Sequence, residues 1–471
     1  MTVIEFAEGA VLVYFCLVCL GYGLCLPVAA RHLSLAVFGN NAARFNDLLR
    51  HSHHKPISIL VPAYNEDATI VSSVSNFLNL HYPTFEVIVI DDGSTDGTLG
   101  ELRRAFRLIP AEAQPLRLVP HENLLGAYRS EVHPRLLVLS KRNGGKADAL
   151  NAGINQSQYP LFCAVDADSL LDAEALLGAG FRFIDNPELL AIGGTVRVLN
   201  NCKVVNGAVE AVRAPRTWLE RIQVIEYTRA FLTGRSTLSS LGMLVIISGA
   251  FGLFRRQSVV DAGGYCRDTV GEDAELVLRL HRRMRERKVP YRIEYHASPI
   301  CWTQVPGNWS DLRAQRDRWH RGLLETLWLH RSILFNPRYG RLGLVAMPYF
   351  WLFEALSPLM EVGGYVLACY LVITGKLSPE FGAGLLILGV CYGMLVGLGS
   401  LGLEVFMRDR YSRTSDRLLL LAACLLENLG YRQLLSAVRT ASMLTVFLKR
   451  GKWGALKREA LESCTEARRQ L

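Results

Sequence analysis

Two carboxylates one residue apart, Asp166 and Asp168, close the apolar run LFCAVDADS at Leu161 to Ser169. A short apolar run that ends in acids reads as a buried strand delivering them to its C-terminal end, the edge at which open α/β sheets bind ligands. Side chains two apart on a strand share a face, so the pair suits one hard cation and the diphosphate that it neutralises. The same letters also make a good turn, and the neighbouring segments decide between the readings. A third acid, Asp273, stands in Gly271-Glu272-Asp273 just before the helical stretch AELVLRLHRR. A strand-to-helix turn there can present a general base, while the plainer role is an N-cap. Lys141-Arg142-Asn143-Gly144-Gly145-Lys146 forms a glycine turn with lysines at the start of a helix that continues ADALNAGI. Backbone donors and cations at such a place suit a phosphate.

These groups need a scaffold that brings them to one edge. From Pro56 to about Pro299 short apolar strands alternate with helical stretches, the pattern of a parallel sheet covered by helices. Strands are predicted at Ile57 to Val61, Val87 to Ile90 and Leu136 to Ser140, with a helix from about Ala68 to Leu80. The first strand ends in PAYNE (62 to 66) and the second in DDGSTDG (91 to 97). If the strands are parallel, these loops emerge at the edge that carries Asp166 and Asp168.

The order PAYNE at 62 to 66, DDGSTDGT at 91 to 98, NGGKADALN at 143 to 151, DADS at 166 to 169, SGAFGLFRR at 248 to 256, GED at 271 to 273 and QRDRW at 315 to 319 resembles the family 2 glycosyltransferases of the GT-A fold. The resemblance covers roughly residues 56 to 340. QRDRW marks the processive, membrane-bound members, and among these the chain is similar to synthases of β-linked polysaccharides such as poly-N-acetylglucosamine, with cellulose, hyaluronan and chitin synthases more distant. It departs from the cellulose type, because nothing after residue 448 is long enough for a cyclic-dinucleotide domain. The implied fold class is an α/β GT-A domain, a Rossmann-like mixed sheet, combined with transmembrane and interfacial helices.

By this resemblance Tyr64, Glu66 and Asp92 hold the uridine, with Asp91 as second choice, and Lys146 lies near the nucleotide. Asp166 lies near the ribose or first phosphate and shares with Asp168 a Mg2+ or Mn2+ that bridges the diphosphate of a UDP-sugar. Asp273 is the general base, Arg318 pairs with the diphosphate, and Ser248, Glu272, Gln315 and Trp319 fall to the acceptor. One carboxylate that deprotonates an acceptor hydroxyl for direct displacement inverts the anomeric carbon, and no candidate nucleophile for a retaining double displacement is evident. The resulting expectation is a processive inverting enzyme that extends a β-polysaccharide and aids its passage through the membrane. The alternatives are a lipid-linked transferase adding one sugar, disfavoured by QRDRW, and a non-catalytic sugar-nucleotide sensor or scaffold, disfavoured by the intact acids.

Composition bounds the rest. The chain has 471 residues, half of them apolar, and a net charge of +9, too long for one ordinary domain and apolar enough for part to lie in lipid. Basic residues cluster beside the apolar spans, so membrane lipid rather than nucleic acid is the expected partner, with export or accessory proteins as further candidates. The 11 cysteines form no paired CxxC sets and read as reduced, buried small hydrophobes.

The expected organisation is a spanning helix within 1–30, a linker at 31–55, the GT-A domain at 56–310, amphipathic interfacial helices at 311–341, a transmembrane or re-entrant region at 342–448 and a basic tail at 449–471. Glu5 and Glu8 precede the first span and Arg31, Arg44, Arg50 and Lys55 follow it, which places the N-terminus outside and the catalytic domain on the cytoplasmic face of the inner membrane. Glu354 and Glu361 share a helix face, as a wet route for sugar or as partners of buried arginines. Gly389, Gly393 and Gly397 offer a flat stripe for close helix packing. Glu427 and Arg432 point to a broken element within 418–448.

Overall fold

The computed structural model describes residues 3–39, 54–114, 116–205, 207–408 and 410–445, and the chain divides into two compact units. Arg44, Arg50 and the tail from Lys449 lie outside the described residues.

The first unit, Ala36–Arg213 with Leu244–Val305, is built on a ten-stranded sheet. Its strands are β1 (Ile57–Ala63), β2 (Phe85–Asp91), β3 (Leu108–Ala111), β4 (Leu124–Ser130), β5 (Leu136–Lys141), β6 (Leu161–Val165), β7 (Leu170–Leu171) and β8 (Leu189–Val198). After the small hairpin β9 (Lys203–Val205) and β10 (Ala208–Ala211) come β11 (Phe251–Arg255) and β12 (Arg292–Thr303). The spatial order is β3-β4-β5-β2-β1-β6-β11-β8-β12-β7.

The four central strands β5, β2, β1 and β6 run parallel. They read as continuous apolar runs because both of their faces are covered; Ile57, Ile59, Leu60 and Val61 are all fully buried. The expected parallel sheet holds for this core. Outside it, β11 lies antiparallel between β6 and β8, and β3 and β4 make an antiparallel edge. FGLFR is as apolar as its parallel neighbours, and an apolar run carries no sign of strand direction.

The second unit takes Met1–Leu35, Ala214–Met243 and Pro306–Lys452. Among the described residues three helices are long and apolar enough to cross a membrane: Ile4–Leu35, Pro379–Met407 and Thr414–Leu444. The pair Leu342–Ala355 and Ser357–Ile373, bent by 42° at its break, makes a fourth if counted as one span. Pro358 at the start of the second member has no amide proton to donate to the preceding turn, which favours a break there. The Thr414–Leu444 element is itself interrupted between helices Thr414–Leu426 and Arg432–Thr445, where Leu429 leaves helical geometry and Gly430 takes φ +99°, open to glycine without strain.

The glycine stripe is packed. A Cβ on Gly397 would lie 2.6 Å from Cys424 Sγ, and one on Gly393 would run into Asn428 Oδ1. Three carboxylates of the apolar region have arginine partners: Glu361 with Arg432 at 2.9 Å, Glu354 with Arg439 at 3.9 Å and Glu427 with Arg229 at 2.6 Å. Among the described residues every cysteine is free.

Two boundaries need correction: the first helix, Val3–Gly39, runs on into the expected 31–55 linker, and a segment of the expected sheet domain lies elsewhere. The segment 214–243, assigned by sequence to the 56–310 domain, packs in the helical unit. Its helix Trp218–Thr228 buries Ile222, Val224 and Ile225, and its continuation pairs Arg229 with Glu427 and Thr233 with Ser400.

Candidate active site

The parallel register of β1, β2, β5 and β6 sets their C-terminal ends, and the loops that follow, at one edge of the sheet. The loops are tied to one another in turn. Asn65 N–H donates to Ser94 Oγ at 3.0 Å, and Thr95 N–H donates to Asn65 Oδ1 at 2.8 Å, joining the first loop to the second. Glu66 N–H donates to Thr98 Oγ1 at 2.8 Å, and the Glu66 carboxylate accepts from Thr69 Oγ1. Tyr64 beside them is 41% exposed, which leaves its ring accessible to a ligand.

Asp91 and Asp92 are both buried, and their carboxylates serve the loops. Asp91 Oδ1 accepts Ser94 N–H at 3.1 Å. Asp92 accepts the amides of Gly144 and Gly145, at 3.0 and 2.7 Å, and the Lys141 ammonium. Lys141 is wholly buried and also pairs with Asp148 at 2.6 Å, which in turn takes Arg267 at 2.9 Å. Burial raises the Asp92 carboxyl above its usual range, against the pull of Lys141 and the glycine amides. At Asp148 burial pushes the same way but loses to Lys141, Glu122 N–H and Arg267, so that carboxyl is held low. Lys141, grouped by sequence with the cations of a phosphate-binding turn, is instead wholly buried between Asp92 and Asp148, and Asp148 and Arg267 were not singled out. A lysine closing an apolar strand was the available signal, since a buried cation requires an acid partner.

That anchored glycine turn presents Lys146 at the first position of helix Lys146–Gln156. Its ammonium pairs with Asp166, lies 3.4 Å from Gly249 O and stands 3.9 Å from Glu272. Burial works against the Lys146 charge, but Asp166, Glu272 and Asp273 outweigh it and hold the amine above the usual lysine range. Burial pushes the Glu272 carboxyl up to about 7, with Lys146 pulling back and Asp273 adding to the rise.

Asp273 sits at the second position of helix Glu272–Arg287, whose N-cap is Gly271. Asp273 is therefore not the N-cap itself, although it still serves a free first-turn donor of the helix. Asp273 Oδ2 accepts Gly249 N–H at 2.9 Å, and its Oδ1 accepts Ala274 N–H at 2.7 Å. At Gly249 a Cβ would lie 2.8 Å from Lys146 Nζ and 3.5 Å from Asp273 Oδ2, so any larger residue must displace the lysine end. Ser248 beside it turns the chain, its carbonyl accepting Phe251 N–H at 3.1 Å.

The strand β6 stops at Val165, so Asp166 and Asp168 do not share a strand face. They lie on a turn closed by Ser169 N–H to Asp166 O at 3.1 Å. Asp166 reaches Lys146 and keeps about a third of its side chain exposed. Asp168 is buried, its Oδ1 accepting from Ser169 Oγ at 3.4 Å. Among the described residues no group of three or more His, Cys, Asp or Glu side chains makes a ready metal cage. Gln315, Arg318 and Trp319 belong to helix Trp309–Leu329 of the other unit, where Gln315 is buried and Trp319 is 44% exposed.

A mixed sheet whose parallel core gathers four loops, with acids and a lysine at their tips, defines a nucleotide-sugar transferase of the GT-A type. The model of glycosyl transferase family 2 matches residues 58–259, and that of glycosyl transferase family group 2 matches residues 161–400. The chain is 30% identical over 340 residues to a poly-beta-1,6-N-acetyl-D-glucosamine synthase of Staphylococcus epidermidis, covering 71% of this chain and 70% of that one. A Staphylococcus aureus protein with the same description is 30% identical over 315 residues, 67% of this chain and 64% of that one. Among solved structures, a mannosyltransferase of Pyrobaculum calidifontis in complex with GDP-Man and Mn2+ has TM-score 0.48 and 18% identity, covering 90% of this chain and 99% of that one. The chain belongs to glycosyl transferase family 2 and is a glycosyltransferase.

Proposed function

We propose that the protein is a processive, inverting synthase that transfers N-acetylglucosamine from UDP-N-acetylglucosamine to a growing β-linked polysaccharide and aids its passage across the membrane. The observation that carries this reading is the Asp273 carboxylate. It is fixed by two backbone donors and sits beside the ammonium of Lys146. Each carboxylate oxygen keeps further acceptor capacity after its backbone bond, so an acceptor hydroxyl can donate to Asp273 without disturbing the loop. The acceptor oxygen attacks the anomeric carbon, its proton passes to Asp273, and the bond to UDP breaks with its electron pair leaving on the diphosphate. The names of the two staphylococcal relatives support the sugar and the polymer.

Tyr64, Glu66, Asp91 and Asp92 are assigned to the nucleoside end of the donor, the last two by shaping the loops. Lys146, Asp166 and Arg318 are assigned to the donor phosphates and ribose, and Ser248, Glu272, Gln315 and Trp319 to the acceptor. Asp168 and Asp166 supply hard oxygens on one turn, a donor set suited to Mg2+ or Mn2+ that takes its remaining ligands from diphosphate and water. When bound, the ion offsets charge on the leaving diphosphate. By the charge rule the catalytic domain faces the cytoplasm and the N-terminus the outside of the inner membrane.

The test is to incubate detergent-purified protein with a panel of UDP-sugars and size the product, with and without a chelator. A long polymer from UDP-N-acetylglucosamine alone, abolished by chelation and restored by Mn2+ or Mg2+, is expected. Products one sugar long favour the lipid-linked alternative, and no incorporation from any UDP-sugar defeats the reading.

A further inference from the structure

The first arginine of QRDRW, Arg316, is not the one that the resemblance gives to the diphosphate, yet it is firmly held. Its side chain is 11% exposed, and Nη2 donates to Glu226 Oε2 at 2.7 Å. The same Glu226 oxygen accepts the Tyr431 hydroxyl at 2.8 Å. Tyr431 ends the turn Glu427–Tyr431, which holds the non-helical Leu429 and Gly430. On its other side the Arg316 guanidinium lies 4.5 Å from the centroid of the Trp319 ring. Tyr227, next to Glu226, brings its own ring within 6.3 Å of that indole. Trp319 nevertheless keeps 44% of its surface exposed.

A guanidinium can do two things at once. Its edge pairs with a carboxylate while its flat face lies on an aromatic ring, whereas the compact ammonium of lysine has no such face. An indole backed by a cation that is itself anchored has lost its rotamer freedom before a sugar arrives, and the ordering cost of binding falls accordingly.

We propose that Arg316 is a positioning residue for the acceptor chain. Glu226 and Tyr431 anchor its guanidinium, the guanidinium presets the Trp319 indole, and the indole is thereby tied to the break at Leu429–Gly430. This deepens the processive reading and rests on it.

The test uses the full-length enzyme and three readouts: product length, KM for the UDP-sugar and melting temperature in detergent. Arg316→Lys keeps the ion pair and loses the flat face. It is expected to melt near the wild type, leave KM unchanged and shorten the product about three- to tenfold, the span of a partly desolvated cation–π contact. The exchange of Glu226→Arg with Arg316→Glu restores the charge pair but sets a carboxylate under the indole, so it regains stability and still makes short chains. In a Trp319→Ala background Arg316→Lys adds no further shortening, because the two act through one ring.

A pair that serves stability alone behaves otherwise: the exchange restores length together with stability, and Arg316→Lys makes full-length product. Either result overturns the proposal. A wild-type enzyme that adds one sugar and stops defeats the processive reading and the inference with it, whereas wild-type polymer and full-length variant product remove the role of Arg316 alone.

Discussion

Charge is buried in both units, but in different proportions. In the sheet unit one ammonium, Lys146, answers to Asp166, Glu272 and Asp273 together. In the helical unit three carboxylates each meet a guanidinium: Glu427 with Arg229, Glu361 with Arg432, Glu354 with Arg439. A matched pair in a low-dielectric setting closes on itself and has little to offer a ligand. A surplus of carboxylate around one cation is expensive to hold and is the signature expected of a site that meets a cation or a proton during its work. The imbalance therefore separates chemistry from architecture, and substitutions in the two places should fail in different ways.

The largest effect is expected at the surplus. Asp273→Asn keeps the size and an acceptor oxygen for Gly249 N–H but removes the base and turns an amide donor toward Ala274 N–H, so turnover should fall by about 10²- to 10⁴-fold, with UDP affinity close to the wild type and only a modest loss of melting temperature. Sugar incorporation, calorimetric UDP binding and thermal melting measure the three quantities. Near-normal turnover would return Asp273 to a structural role.

In the matched pairs the loss should instead appear as stability. Glu427→Ala leaves Arg229 without the carboxylate that it bonds at 2.9 and 2.6 Å, and a charge stranded in this way costs about 3–5 kcal/mol. The double substitution Arg229→Met with Glu427→Leu should recover most of that melting temperature, since apolar residues of similar volume commonly replace such a pair at little cost. If the double variant melts as low as the single one, the pair is more than architecture.

The same contrast shows how far the sequence could be read. The positions of Asp166 and Lys146 were legible because each follows an apolar run or a glycine turn that fixes where the chain leaves the sheet; Asp273 was marked only by the helix it opens, since a helix and a loop precede it rather than the expected strand. The fate of Asp92 was not. In DDGS both acids look alike, and only the fold shows the Asp92 carboxylate turned onto Gly144, Gly145 and Lys141. The strand placement of Asp166 and Asp168 failed for a related reason, because β6 ends at Val165, before either acid, and a turn takes the pair. Residues 214–243 fell inside the expected 56–310 domain by position alone, and nothing local in them names Glu427 or Ser400 as partners. Partners distant in sequence are set by tertiary packing, which spacing does not encode.

A milder change sharpens the comparison further. Gly249→Ala introduces a Cβ 2.8 Å from Lys146 Nζ, and a flexible lysine end can yield where backbone could not. Stability should hardly move, while turnover should fall about tenfold, the scale on which small misplacements of a catalytic constellation act. Kinetics and melting on the same preparation check this, and an unchanged rate would show that Lys146 does not need its present position.

The smallest expected effect tests whether the surplus of acid is real in solution. Burial pushes the Glu272 carboxyl from its ordinary 4.5 up to about 7, Lys146 pulls it down, and Asp273 and Asp166 raise it. Below the ordinary value the group is protonated both folded and unfolded, and it contributes nothing to the pH slope. Between there and about 7 the folded protein keeps a proton that the unfolded chain has released, so stability falls as pH rises through this window and levels off above it. Lys146 is displaced in the opposite region: its raised amine favours the folded state throughout this window and loses that contribution only in strong alkali. Glu272→Gln carries no titrating proton, so the melting temperature of the wild type should decline relative to the variant between about pH 4.5 and 7 and run parallel to it at higher pH. Parallel curves across the whole range would mean that Glu272 is ionised in the fold from the start, and that Lys146 is closer to a matched partner than to the centre of an acid-rich site.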